Sequence, residues 1–160
     1  MEVEVFVMLG LVLAGGAHAA DACEKAVAKA TKHGQLAFNV GDGTVVHQQG
    51  STFYSTTFYR EGHGPPLQAG WTMAAKLEDG SDVQLAVAER VEAVERTNET
   101  GTLTFYEPVF VVTPEQVVAL AASPIDAVRI DIGSGGGPTS MAKGKSKKLH
   151  AAFACIAQQD

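Results

Sequence analysis

The chain has 160 residues, of which 46% are hydrophobic, and a formal net charge of −6 at pH 7. This length suits one domain with a modest core. The acidic balance gives no general attraction for nucleic acid or anionic lipid, so we expect no nucleic-acid partner.

The N-terminal segment has the pattern of a secretory signal. An apolar run extends from Phe6 to Ala14, and Ala17-His18-Ala19 supplies the small-x-small motif of a peptidase site. A membrane-spanning helix needs about 20 apolar residues, and this run is shorter. The segment therefore predicts export, without a membrane span in the mature chain.

One feature departs from that pattern. Glu2 and Glu4 stand where a signal normally carries basic residues, a departure that a translation start further upstream would explain. The alternative is a buried N-terminal strand. We predict a signal peptide at residues 1–19 and a single exported domain, periplasmic or extracellular, at residues 20–160.

Two cysteines, Cys23 and Cys155, are present. Exported chains meet an oxidising environment, so we predict that the two thiols form a disulfide. Two buried free thiols are one alternative. A lipid anchor through Cys23 is another, although Asp21 resembles a lipoprotein signal poorly.

Apolar residues recur at the helical spacing i, i+3, i+4 and i+7 around each cysteine. They are Cys23, Ala26, Val27 and Ala30 near the start, and Leu149, Ala152, Phe153 and Ile156 near the end. We therefore predict two terminal helices that the disulfide joins.

Short strands are predicted next, at residues 35–40 and 41–50, which glycine turns punctuate, and at residues 51–61, which are rich in Thr, Phe and Tyr. A loop is predicted at residues 61–70, which hold two prolines and three glycines.

Residues 71–87 predict a β-hairpin, because apolar and other residues alternate on both sides of Asp79-Gly80. Residues 86–97 fit either a strand or a helix, and we favour a long strand bulged near Glu89. A turn at 97–101 and a strand at 102–112 follow. Pro108 within that strand predicts an edge strand or a bulge.

A short helix is predicted from Thr113, with Pro114 in its first position and Gln116 completing a capping box. A strand is predicted at residues 125–132, and a loop at 133–148 leads to the last helix. Strands clustered between helices indicate an α+β fold, in which helices cover one face of a mostly antiparallel sheet. A β-sandwich with peripheral helices is the alternative.

The stretch TSMAKGKS resembles a phosphate-binding loop, because Gly144-Lys145-Ser146 matches the end of that motif, but Thr139 replaces its first glycine. We therefore predict no nucleotide and no cofactor. A second hypothesis concerns Lys145, Lys147 and Lys148. These lysines near the start of a helix could hold an anion together with free backbone N–H groups.

No pattern indicates a catalytic residue or a metal site. His47, Glu61 and His63 lack the spacing of a four-ligand zinc site, and no serine lies in a G-x-S-x-G motif. A hydrolase that uses the His47/Glu61/His63 region is kept as the alternative function.

The aromatic residues of 53–59 indicate a binding surface, with Tyr54 and Phe58 as its candidate exposed residues. The sequence thus predicts a non-catalytic exported domain that binds a protein partner or a component of the cell envelope.

Overall fold

A computed structural model describes residues 16–130 and 139–159. Within them the helices are α1 (Gly16–His33), α2 (Pro114–Ala122) and α3 (Lys143–Ala157). The strands are β1 (Leu36–Asn39), β2 (Thr44–Gln48), β3 (Ser51–Ser55), β4 (Phe58–Glu61), β5 (Thr72–Leu77), β6 (Asp82–Val87), β7 (Val94–Asn98), β8 (Gly101–Tyr106), β9 (Val109–Val112), β10 (Ile125–Ile130) and β11 (Thr139–Ser140).

The strands form two sheets. The larger sheet has eight strands in the order β1-β2-β3-β9-β6-β5-β10-β11, and the smaller has three in the order β4-β8-β7. Neighbouring strands of both sheets are antiparallel. This confirms the predicted α+β class. Helices pack on the larger sheet in place of a second layer of strands, so the fold is not the alternative sandwich.

The main core lies between the larger sheet and the helices. Tyr54 and Phe110 point inward from the sheet, and Leu120 of α2 and Phe153 of α3 belong to the same buried cluster. Their side chains are at most 1% exposed. Full burial of such a side chain contributes about 1.5–3 kcal/mol, so this layer supplies much of the stability.

The periodicity predicted for the last helix is confirmed. Leu149, Ala152, Phe153 and Ile156 are all buried along one face of α3. On α1, Ala26 is buried, while Val27 and Ala30 are half-buried. The disulfide between Cys23 and Cys155 joins these helices, with Cα atoms 5.5 Å apart. Because Cys23 Sγ is bonded to Cys155, the alternative of a lipid anchor on that sulfur is wrong.

The capping box of α2 is also confirmed. Thr113 Oγ1 accepts a hydrogen bond from Gln116 N at 3.3 Å, and Gln116 Oε1 accepts one from Thr113 N at 3.0 Å. The predicted hairpin is present as β5–β6, where Met73 faces Leu85. Gly80 in its turn has a φ of 89°, which a residue without a Cβ adopts at low cost.

The long strand favoured for residues 86–97 is wrong, and so is the helical alternative. Strand β6 ends at Val87 and β7 begins at Val94 in the other sheet. Between them Val91 forms an isolated bridge with Leu67, each N–H donating to the other's carbonyl at 2.9 Å. The segment carries the chain between sheets, so no single ladder could pair its whole length.

The prediction for Pro108 is wrong for the same reason. Residues 102–112 divide there into β8 and β9, which lie in different sheets, and each is an interior strand of its own sheet. Proline has no N–H to donate to a ladder, and its carbonyl accepts from Thr56 N at 3.2 Å. Residues 51–61 divide in the same way, into β3 and β4, at Thr56 and Thr57.

Strand β10 follows the predicted strand from Ile125 to Ile130, and residues 131 and 132 lie outside the described part. Residues 133–138 of the predicted loop also lie outside the described part. The end of that predicted loop, residues 143–148, belongs to α3. Most of the predicted signal peptide also lies outside. None of the helices in the described ranges has the length and apolar character that a membrane crossing requires.

Candidate functional site

An open groove of about 780 Å³ lies where the two sheets meet. Side chains of β3 and β9 line it from the larger sheet, and side chains of β7 and β8 line it from the smaller. The remaining lining comes from Thr57, Glu107 and residues 88–92, which belong to three of the segments that carry the chain between sheets.

The wall from the larger sheet is apolar. Phe53 and Val109 line the groove and are 37% and 39% exposed, and Val111, outside the lining but on the same face of the sheet, is 39% exposed. Phe53 lies directly opposite Val111 in the β3–β9 register. Successive side chains of a strand point to opposite faces, so burial of Tyr54 and Phe110 in the core turns Phe53, Val109 and Val111 outward.

The wall from the smaller sheet consists of Val94, Arg96 and Phe105. Val94 lies opposite Phe105 in the β7–β8 register and is 53% exposed. The Arg96 guanidinium carbon is 5.1 Å from the centroid of the Phe105 ring, within the range of a cation–π contact. Outside the groove lining, on the β4 side of Phe105, the Tyr59 ring lies 5.8 Å from the Phe105 ring, and Tyr59 is 64% exposed.

Charged side chains surround these walls. Arg90 Nε is 2.7 Å from Glu92 Oε1, so these two charges offset each other. Glu89 and Glu107 also line the groove, and within the described residues neither makes an ion pair. The groove thus combines apolar lining residues with two carboxylates that have no cationic partner among the described residues.

The predicted exposed pair, Tyr54 and Phe58, requires correction. Tyr54 is 1% exposed because it points into the core, 6.1 Å from the Phe110 ring. Phe58 is half-buried and stacks on Tyr106 with centroids 4.9 Å apart. Their chain neighbours Phe53 and Tyr59 are the exposed residues, so the prediction found the right strands but the wrong faces.

Lys145 has a partner within the protein. Its Nζ is 2.6 Å from Asp42 Oδ1 and donates to Thr56 Oγ1 at 3.0 Å. Partial burial favours the neutral amine, but the hydrogen bond with Asp42 and the nearby Tyr54 outweigh it and raise the pKa of Lys145 above its ordinary value. The amine therefore stays protonated, which does not suit a nucleophile or a general base.

The other residues of the predicted anion site are placed differently. Lys147 and Lys148 are exposed and make no ion pair with any described residue. Ser146, at the end of the phosphate-loop-like stretch, is buried and donates to the carbonyl of Ile125 at 2.6 Å. Lys145 and Ser146 of that stretch are therefore hydrogen-bonded within the fold, and neither Lys147 nor Lys148 shares the ion-pair partner of Lys145.

The histidines near the hydrolase-like region also make separate contacts. His47 Nδ1 is 2.8 Å from Thr52 Oγ1 on the larger sheet, while His63 Nδ1 is 2.8 Å from Glu95 Oε1 on the smaller. Glu61 is opposite Leu103, whereas Glu95 is opposite Thr104, so these carboxylates leave opposite faces of the smaller sheet.

Within the described ranges, no cluster of three or more His, Cys, Asp or Glu side chains is arranged to hold a metal ion. Sequence reasoning missed the groove residues Val94, Arg96 and Phe105. A signal did exist, since Val94 and Arg96 share one face of a strand, but their apposition to Phe53 depends on the order of the strands.

Comparison of the chain with protein-family models, with curated proteins and with solved structures finds no significant match. What can be said of function therefore comes from the geometry described above.

Proposed function

We propose that this chain is an exported, non-catalytic domain that binds a segment of a partner protein in the groove between its two sheets. The observation that carries the proposal is the exposed apolar lining of the groove, formed by Phe53, Val94 and Val109 around the half-buried ring of Phe105. Contiguous exposed apolar surface of this kind marks interaction sites in soluble proteins.

The composition of the groove favours a protein over a small molecule. Aromatic residues and arginine are enriched at protein interfaces and among their energetically dominant positions, and the groove contains Phe53, Phe105 and Arg96. The groove is open, whereas sites for small molecules are concave and bury most of the ligand.

The charges of the groove and of the whole chain further define the class of partner. The carboxylates of Glu89 and Glu107 lie beside the apolar lining residues, so they favour a segment whose apolar residues are flanked by Lys or Arg. The full chain has a net charge of −6, which becomes −4 when Glu2 and Glu4 leave with the proposed signal, and this charge would steer a basic segment toward the domain at low ionic strength. We therefore take a basic, partly apolar protein segment as the partner class.

The disulfide between Cys23 and Cys155 supports export, because such bonds persist in oxidising compartments. We propose residues 1–19 as the signal. The test is the intact mass of the exported protein before and after reduction and alkylation. A mass beginning at Ala20, with alkylation only after reduction, is expected, and an uncut chain would contradict the signal.

Binding is tested by selecting random peptides displayed on phage against the oxidised protein and measuring the affinity of the winners. We expect peptides with apolar residues flanked by Lys or Arg. Their affinity should fall about tenfold or more for Phe53→Ser, as for a buried interface residue. Val118→Ser is the matched control, since Val118 is 63% exposed on α2, outside the groove lining.

Three outcomes would contradict the proposal. One is that no peptide is enriched. Another is that Phe53→Ser and Val118→Ser bind the peptides as tightly as the native protein. The third is that isolated cell-wall polymer or lipid vesicles sediment the protein, and Phe53→Ser abolishes this binding. That last result would assign the groove to a component of the cell envelope.

A further inference from the structure

Resting on the function proposed above, we propose that the bound segment pairs with strand β7 and extends the smaller sheet by one strand. The proposal thus assigns a backbone recognition element as well as a groove for side chains. Addition of an extended peptide to a sheet edge is a recurrent mode of protein recognition.

Strand β7 is an exposed edge. It pairs with β8 on one side, and all five of its residues are exposed. The edge strand β1 of the larger sheet, by contrast, contacts α1 and α3. An edge strand offers a row of backbone N–H and C=O groups to any chain that approaches in an extended conformation.

The register identifies which groups are offered. Asn98 and Gly101 close a two-residue turn and therefore form a hydrogen-bonded pair. Alternation then directs the N–H and C=O groups of Arg96 and Val94 toward β8, and those of Glu95 and Thr97 away from it. Within the described residues, the backbone groups of Glu95 and Thr97 make no other hydrogen bond.

The side chains of the same strand face the groove. Val94 and Arg96 line it, and they alternate with Glu95, whose carboxylate is bonded to His63 on the opposite face. Alternate side chains of an added strand would therefore share the groove face with Val94 and Arg96. A single bound segment would thus hydrogen-bond to the backbone of β7 and place its side chains in the groove.

A second copy of this chain is a poor occupant. A two-fold symmetric pair of β7 strands can centre on Glu95, Arg96 or Thr97. The first places Glu95 opposite Glu95, the second Arg96 opposite Arg96, and the third Glu95 opposite Glu99. Like charges directly opposite one another are destabilising, so the three registers that pair at least three β7 residues of each copy oppose self-pairing, and a different partner is favoured.

The charged side chains near β7 also indicate which side chains the added strand should carry. An apolar residue suits the position opposite Val94, and a carboxylate or another acceptor suits the position opposite Arg96. The Arg96 guanidinium makes no ion pair among the described residues. Lys or Arg at the ends of the strand would meet Glu89 and Glu107.

The experiment uses the tightest phage-selected peptide, synthesised with a single N-methyl group at each position in turn. Strand addition predicts that methylation at alternate positions weakens binding by about tenfold or more, since only alternate N–H groups point at β7. Amide hydrogen exchange of the complex should show new protection at Glu95 and Thr97. Arg96 should be protected in both the free and the bound protein.

The outcomes separate this inference from the proposed function. A peptide that is lost in Phe53→Ser but shows no alternation, with no protection at Glu95 and Thr97, would leave the groove as the binding site and overturn strand addition. Failure to select any peptide would overturn both. Alternating losses with protection at both residues establish β7 as the recognition edge.

Discussion

Each of the two sheets is stabilised in a different way. The larger sheet buries one face under α2 and α3 and contributes the fully buried side chains of Tyr54, Phe110 and Leu85. The smaller sheet holds its aromatic residues in cross-strand pairs, such as Phe58 with Tyr106, and leaves all of β7 exposed. The comparison suggests a division in which stability resides mainly in the larger sheet, while recognition uses the exposed residues of the smaller sheet together with Phe53 and Val109 of the larger.

The largest effect that would test this division is a cavity in the larger sheet. Phe110→Ala should lower the free energy of unfolding by about 3–5 kcal/mol, because Phe110 is fully buried and its neighbours can only partly fill the space. Urea denaturation measures this. Val118→Ala, at an exposed position, should change stability by less than about 0.5 kcal/mol. Equal effects of the two changes would contradict the assignment of the core.

Removal of the disulfide is expected to have the next largest effect. Replacing Cys23 and Cys155 together by serine should cost up to about 5 kcal/mol, since the bond closes a loop with a sequence separation of 132. The comparison is sharpened by amide exchange, in which the β7–β8 hairpin should keep its protection while α1 loses it. Loss of protection in the hairpin at the same rate would indicate that the two sheets open together.

Alkaline pH should weaken one contact in each region. The pKa of Lys145 is raised above its ordinary 10.5, and burial raises the pKa of Tyr106 above its ordinary 10.0. A raised pKa in the folded state adds stability that is complete below the ordinary value and disappears as the pH rises through the folded value. Stability should therefore fall above about pH 10.

The variants Lys145→Met and Tyr106→Phe assign this dependence to the two regions. Each should flatten part of the decline when the free energy of unfolding is measured against pH. A decline that is unchanged in both variants would show that other groups cause it.

The smallest effect is expected in the smaller sheet. Tyr59→Ser should cost less than about 1 kcal/mol, because Tyr59 is 64% exposed and contributes mainly its contact with Phe105. Phe58→Ser should cost more, since Phe58 is half-buried and stacked on Tyr106. Chemical denaturation of both variants checks the order, and the reverse order would contradict the assigned faces of β4.

Local signals were sufficient for much of the fold. The capping box at Thr113 and the turn at Gly80 depend on residues a few positions apart, and the structure confirms both. The helical stripe of α3 was predictable for the same reason. The cysteine pairing followed from there being only two cysteines in a chain expected to meet an oxidising compartment.

The errors share one physical cause, which is that strand order is not a local property. Alternation shows that Phe53 and Tyr54 point to opposite faces, but it does not show which face the helices cover. Pro108 and residues 88–93 interrupt strands because the chain changes sheets there. The groove depends on those crossings, so it could not be predicted before the two sheets were known.

The covalent bond between the first and last helices also determines how the protein would respond to force. A pull applied to the chain before Cys23 and after Cys155 would pass through the bond between their sulfur atoms. The segment between them, which contains both sheets, would carry almost none of that load. A domain tethered at both ends could therefore keep its groove intact under tension that unfolds proteins lacking such a bond.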